Sequence, residues 1–174
     1  MSERTDHPMQ EPKTQAPDMT KDIADFHDKF RALGETIPGM LPPSELEDEL
    51  ALFRIGFMVE ELAEYAANSG FVNIARSLNE LHDRIKEKAR WVVKRNEGGR
   101  NLHEQFDGLI DLVYVALGTA YHHGVDFDEG WRRVHEANMA KMLARSHEDS
   151  KRGYRFDVVK PKGWKPADLS DLVK

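Results

Sequence analysis

Apolar residues recur at helical intervals over most of the 174-residue chain. In MTKDIADFHDKFRALG, Ile23, Phe26, Phe30 and Leu33 are spaced by three and four before a glycine, which predicts a short amphipathic helix. After the loop ETIPGMLPP, Ser44 and Glu47 form an S-x-x-E capping box, predicting a second helix that runs to the NSG at residues 68–70. Phe71, Ile74, Leu78, Leu81, Ile85 and Val92 keep the helical period, so a third helix is expected from residue 71 to about 95. Asn101 and Glu104 repeat the capping pattern ahead of a fourth, ending near HHG, and Asp126 caps a fifth through EGWRRVHEANMAKML.

Beyond residue 146 the pattern changes. GYRFDVVKPKGWKPADL carries glycine, proline and β-branched residues without a helical period, and reads as a loop or small hairpin. The fold class expected is all-α: an antiparallel bundle of about five helices with an irregular C-terminal tail, assembled as an oligomer. Residues 1–18, polar and proline-bearing, read as a disordered leader, residues 19–146 as the helical domain and 147–174 as a basic tail.

Composition narrows the chemistry. No apolar run has the length of a membrane span, and the N-terminal stretch lacks a secretion signal, so no membrane partner and a cytoplasmic location are expected. With no cysteine, a metal site must draw on carboxylate and imidazole, which favours Mg²⁺ or Mn²⁺. From Trp131 onward 11 Lys/Arg face 6 Asp/Glu, a surplus of five; the chain total of −6 therefore leaves −11 on residues 1–130. An acidic body with a basic tail suits an anionic ligand held through a cation, whereas a nucleic-acid partner is disfavoured.

The acids are also patterned. On the second helix Leu52, Ile55, Val59, Leu62 and Ala66 share a stripe about 80° wide, the expected core face, while Phe53 and Phe57 lead into Glu60, Glu61 and Glu64 on the other side. On the fourth, Glu104, Asp107 and Asp111 form a narrow stripe on a helix apolar almost everywhere else. Burying an unpaired carboxylate costs several kcal/mol, and residues 101–131 contain no Arg or Lys. Neutralisation must come from elsewhere. Facing the two helices would set four or five carboxylates against one another, a set that oxygen-seeking cations would stabilise. A di-iron carboxylate bundle is disfavoured, because no Glu is followed three residues later by His.

These helices, followed by VHEANMAK and KPKGWKPADL, resemble the all-α nucleoside triphosphate pyrophosphohydrolases. This MazG-like superfamily includes the dimeric dUTPases and phosphoribosyl-ATP pyrophosphohydrolase. The likeness runs from DIADFHDKF to near the C-terminus; EELAE matches the E-E-x-x-E motif, DLVYVALGTAYHHGVD the second motif and its turn, and ANMAK an N-x-x-K motif. The resemblance implies Glu60, Glu64 and Asp111 as magnesium ligands and Glu61 as a ligand or the base that activates water. It also implies that Asn138 and Lys141 meet the base or sugar and the phosphates, that Arg54 assists, and that the Trp164 tail closes over a neighbouring subunit's site. The second motif is usually E-x-x-D, yet Gly108 stands three residues before Asp111; Asp107, or else Glu104, is left to supply the missing ligand. The expected activity is Mg²⁺-dependent cleavage of an NTP or dNTP, dUTP or another pyrimidine dNTP favoured, to monophosphate and pyrophosphate by a homodimer or homotetramer. The alternatives are a phosphoribosyl-ATP pyrophosphohydrolase and a non-catalytic nucleotide- or metal-binding helical protein.

Overall fold

The computed structural model describes residues 15–30, 42–88, 94, 98–144, 149–150 and 157–173. The expected leader falls largely outside them. Among the described residues there are five α-helices: α1 (Met19–Phe30), α2 (Asp48–Asn68), α3 (Val72–Lys86), α4 (Leu102–His123) and α5 (Phe127–Met139). A two-residue antiparallel ladder pairs β1 (Met142–Leu143) with β2 (Val158–Val159), and a 3-10 turn covers Ser170–Val173. The chain is all-α, as its periodicity predicts.

Helix ends follow local chemistry. Asp18 caps α1, its Oδ1 accepting from Thr20 Oγ1 (2.8 Å) and the Lys21 N–H (3.0 Å). Asn101 caps α4 by accepting from the N–H groups of His103 and Glu104, and Gly124 ends that helix in the left-handed region at φ 69°. Asp126 caps α5 through the Glu129 N–H at 3.1 Å. The Ser44–Glu47 capping box, however, does not form: α2 begins at Asp48, and its N-cap Glu47 makes no side-chain cap bond. The third helix stops at Lys86 instead of about residue 95, with Lys88 turned to φ 52°. The fifth stops at Met139, because Met142 and Leu143 pair with Val158 and Val159. Helical period persisted past both ends in the sequence, but tertiary pairing and a left-handed residue override propensity.

The extensive helix–helix contact is the α2–α3 hairpin, closed by a turn in which the Phe71 N–H donates to Ala66 O at 2.9 Å. Its core comprises Phe53, Gly56, Ala63 and Ala66 of α2 with Ala75 and Ile85 of α3. Small residues predominate, so the backbones approach closely. The packed face of α2 is thus rotated from the expected one: Ile55 and Leu62 remain exposed, while Phe53 is buried. A helix with two apolar faces does not reveal in its sequence which of them its own chain will cover.

α4 contrasts with this hairpin. Phe106, Leu109, Ile110, Leu112, Val113, Tyr114, Val115 and Tyr121 are all more than half exposed, and α4 has no fully buried residue. It meets α5 beyond the Gly124 turn and is tied to α2 at its two ends. At the N-terminal end Arg100 pairs with Asp48 and with Glu45 (3.5 Å); at the C-terminal end Tyr65 Oη lies 3.1 Å from His123 Nε2. The two helices therefore run in the same direction.

α5 and the tail are joined by polar ties. Trp131 Nε1 donates to Asp22 of α1 at 2.8 Å, and Arg133 binds both carboxylate oxygens of Asp171, the Nη2–Oδ2 bond being 2.9 Å. Asp157, at the ladder, is buried and accepts from Ser150 Oγ at 2.8 Å.

Candidate active site

Glu60, Glu61 and Glu64 occupy the middle and second half of α2, on the arc between the surface packed on α3 and the exposed apolar stripe. Asp107 and Asp111 lie on the first half of α4, both exposed, and Glu104 is exposed in its first turn. A single chain does not gather these acids. Among the described residues no three Asp, Glu or His side chains converge closely enough to hold a metal ion. The His123 side chain that reaches Tyr65 lies about 120° around α4 from Asp111, so the aspartate stripe points elsewhere. The donor set still suits a hard cation, since it offers oxygen alone and the chain has no cysteine.

The remaining candidates fall into two groups. Arg54 is exposed as a whole residue, and its guanidinium lies 6.0 Å from the centre of the Phe57 ring. Desolvation lowers its pKa. His27 of α1 is likewise pushed below the usual histidine range, first by desolvation and then by the nearby Arg54 charge. Arg54 thus sits on α2 itself, one to two turns before the glutamates, in a desolvated corner near His27.

Lys141 and Trp164 come together at the C-terminal end of α5, which carries Asn138. Trp164 Nε1 donates to Ala137 O at 2.7 Å, and Lys141 Nζ stands 5.7 Å from the indole centre. Trp164 therefore docks on its own chain's α5, not on a free tail. Two residues that sequence reasoning passed over complete this cluster. Lys160 Nζ lies 4.6 Å over the same indole, and Lys29 Nζ donates to Met139 O. At this helix end the Met139 carbonyl accepts from the Lys29 ammonium, and the Ala137 carbonyl accepts from the indole N–H as well as from the Ala140 N–H at 3.3 Å. Two ammonium groups within reach of one indole make this end of α5 locally cationic. The only signal for Lys160 was its place in the basic KPKGWK run; nothing in the period of α1 marked Lys29.

The phosphoribosyl-ATP pyrophosphohydrolase family matches residues 23–138, well over half of the chain. The chain belongs to this family. It is accordingly a hydrolase acting on phosphoric anhydrides, a pyrophosphohydrolase of the MazG-like superfamily. The matched segment takes in both acidic helices and ends at Asn138, so Lys141, Lys160 and Trp164 lie outside it. Comparisons with individual proteins and with solved structures return no significant match.

Proposed function

We propose that the protein hydrolyses a nucleoside triphosphate or deoxynucleoside triphosphate between the α and β phosphates, releasing monophosphate and pyrophosphate. The observation that carries this reading is that an E-E-x-x-E helix and an aspartate-striped helix both fall inside the family match. Glu60, Glu64, Asp107 and Asp111, with Glu61 as a further donor, would hold Mg²⁺ or, equally by donor type, Mn²⁺. Such a cation supplies charge neutralisation at the phosphate oxygens and acidity to a nearby water. Glu61 takes the proton of the water that attacks the α-phosphorus, and the bond to the bridging oxygen breaks toward pyrophosphate. Lys141 meets the charge that develops on that leaving group, while Asn138 and Trp164 border the nucleoside. Arg54 brings a fixed positive charge to the edge of the acidic helix.

A pyrimidine dNTP such as dUTP is favoured by the HEANMAK and GWKPADL blocks, and phosphoribosyl-ATP is the second reading, favoured by the family matched. The enzyme works as a homo-oligomer in the cytoplasm, without nucleic-acid or membrane partners. Among the described residues no helix is long and apolar enough to cross a membrane. The test is pyrophosphate release from a panel of dNTPs, NTPs and phosphoribosyl-ATP with Mg²⁺. Turnover of dUTP or a related dNTP is expected; exclusive turnover of phosphoribosyl-ATP selects the second reading, and pyrophosphate from none of them overturns both.

A further inference from the structure

We propose that α1 is a positioning element for the substrate end of α5: Asp22 and Lys29 seat it there in one register, and that seat holds Lys141 and Trp164 where the nucleotide meets them. The roles of Lys141 and Trp164 rest on the pyrophosphohydrolase reading above; the seat itself rests on contacts within one chain.

α1 has no fully buried residue, so apolar burial alone does not fix its place. Its main helix contact is with α5, and polar atoms make the join. Asp22 uses both carboxylate oxygens there: Oδ2 accepts from Trp131 Nε1 at 2.8 Å, and Oδ1 stands 3.7 Å from His135 Nε2. Trp131 and His135, four residues apart, share a face of α5. Lys29 Nζ donates to Met139 O, one turn further on. Asp22 and Lys29 lie within about 20° of one another around α1, so both ties leave from one face. The rises agree as well. About 10 Å separates Asp22 from Lys29 along α1, and about 9 Å separates the midpoint of Trp131 and His135 from Met139 along α5. The two helices therefore run in the same direction, with the register set at two points, and a slip of one turn breaks both.

The second tie falls on the turn that carries the candidate substrate residues. Lys29 donates to Met139 O and Trp164 Nε1 to Ala137 O, so α1 and the tail rest on the same turn of α5, with Asn138 between the two carbonyls in sequence. Lys141 follows two residues after Met139, its Nζ 5.7 Å from the Trp164 ring centre. An ammonium at a helix C-terminus also interacts favourably with the dipole of that end. About 140° around α1 from Asp22, His27 lies near Arg54 of α2; desolvation first and the Arg54 charge second lower the histidine's pKa. α1 thus links the end of α5 to the part of α2 that precedes Glu60 and Glu61.

The chain has three tryptophans, Trp91, Trp131 and Trp164, whose indole N–H signals in the ¹⁵N-labelled full chain report the seat without substrate. They are assigned by Trp91→Phe, Trp131→Phe and Trp164→Phe. Lys29→Met removes the ammonium and keeps the stem; it should shift the Trp164 signal, and Lys29→Arg should restore it. Asp22→Leu should shift the Trp131 signal directly and the Trp164 signal across the end of α5. A Trp164 signal that neither Lys29→Met nor Asp22→Leu moves overturns the link between α1 and the tail. In pyrophosphate release, Lys29→Met should lower kcat/KM about five- to tenfold, what one hydrogen bond to a charged group is worth, and Lys29→Arg should recover it. Because α1 acts through the end of α5, Lys29→Met added to Lys141→Met should cost little more than Lys141→Met alone. An unchanged kcat/KM, or a loss that adds in full to that of Lys141→Met, overturns the positioning role. Should wild-type protein release no pyrophosphate from any nucleotide, the reaction reading fails alone, because the indole signals still decide the seat.

Discussion

The α2–α3 hairpin and α4 draw on similar residues and reach opposite outcomes. In the hairpin, apolar residues share faces with small ones, and Gly56, Ala63, Ala66 and Ala75 let two backbones close over Phe53 and Ile85. In α4, apolar residues surround the helix except along Glu104, Asp107 and Asp111, and its middle turns stay open. Where polarity leaves one stripe apolar, one neighbour is enough. Where it leaves nearly the whole circumference apolar, several neighbours are needed, and among the described residues few reach the middle of α4.

The largest effect should come from chemistry on the closed side. Glu61→Gln removes a proton acceptor while keeping nearly the same shape on an exposed position of α2, so pyrophosphate release should fall about 10²- to 10⁴-fold with helicity unchanged. A fully active variant, measured at saturating nucleotide and Mg²⁺, would remove Glu61 from the mechanism. Next come two packing changes with opposite signatures. Ile85→Ala opens a cavity in the hairpin and should cost about 2–5 kcal/mol in urea unfolding. Val113→Asp on α4 should leave the helical signal of the isolated chain intact and shift sedimentation toward monomer. If Val113→Asp unfolds the protein without passing through a folded monomer, the hairpin does not stand apart from α4.

The same contrast explains what could be read in the sequence. The existence of all five helices was legible, and so were the caps at Asn101 and Asp126, because capping chemistry is local. The Ser44–Glu47 box was misleading, since a pattern that can cap need not be the place where tertiary packing starts the helix. The choice of packed face on α2 was not legible. Both faces are apolar, and the decision lay with Ala75 and Ile85 on α3. Asn138, Lys141 and Trp164 could be named from their motifs, and the structure brings Lys141 and Trp164 together at the end of α5 that carries Asn138. Lys160 and Lys29 could not, because their roles depend on where the tail and α1 land on α5. The acids were legible as two stripes, and among the described residues one chain does not bring them into a metal-sized cluster.

A smaller effect is expected at the end of α4. Gly124 adopts φ 69° with no neighbouring atom within 4 Å of where a Cβ would stand, so Gly124→Ala meets no clash and only the left-handed backbone cost. Loss of about 1–2 kcal/mol in thermal or urea unfolding is expected, with nucleotide turnover little changed. A neutral result would mean that the α4–α5 corner rearranges, and that the direction of α4 is less firmly set than that of the hairpin.

The smallest effect separates the polar clamp on α5 from both helical regions. Glu129 accepts from Arg132 Nε at 2.8 Å and from Arg133 Nε at 2.6 Å, and these bonds, Arg132 first, lower its pKa to about 2. Arg133 in turn holds Asp171, whose pKa is lowered as well, chiefly by that contact. A carboxylate with a folded-state pKa below its unfolded value contributes stability that is fully present above the unfolded value. That contribution fades as pH falls from about 4.5 toward about 2. Glu129→Gln should therefore flatten the acid limb of the stability–pH curve in that window and leave stability near pH 7 modestly reduced, because exposed ion pairs are screened by solvent. Ile85→Ala should lower the same curve at every pH without changing its slope. If Glu129→Gln leaves the acid limb unchanged, the clamp does not couple the tail to α5 in solution, and the Lys141, Lys160 and Trp164 cluster loses the anchor that places it.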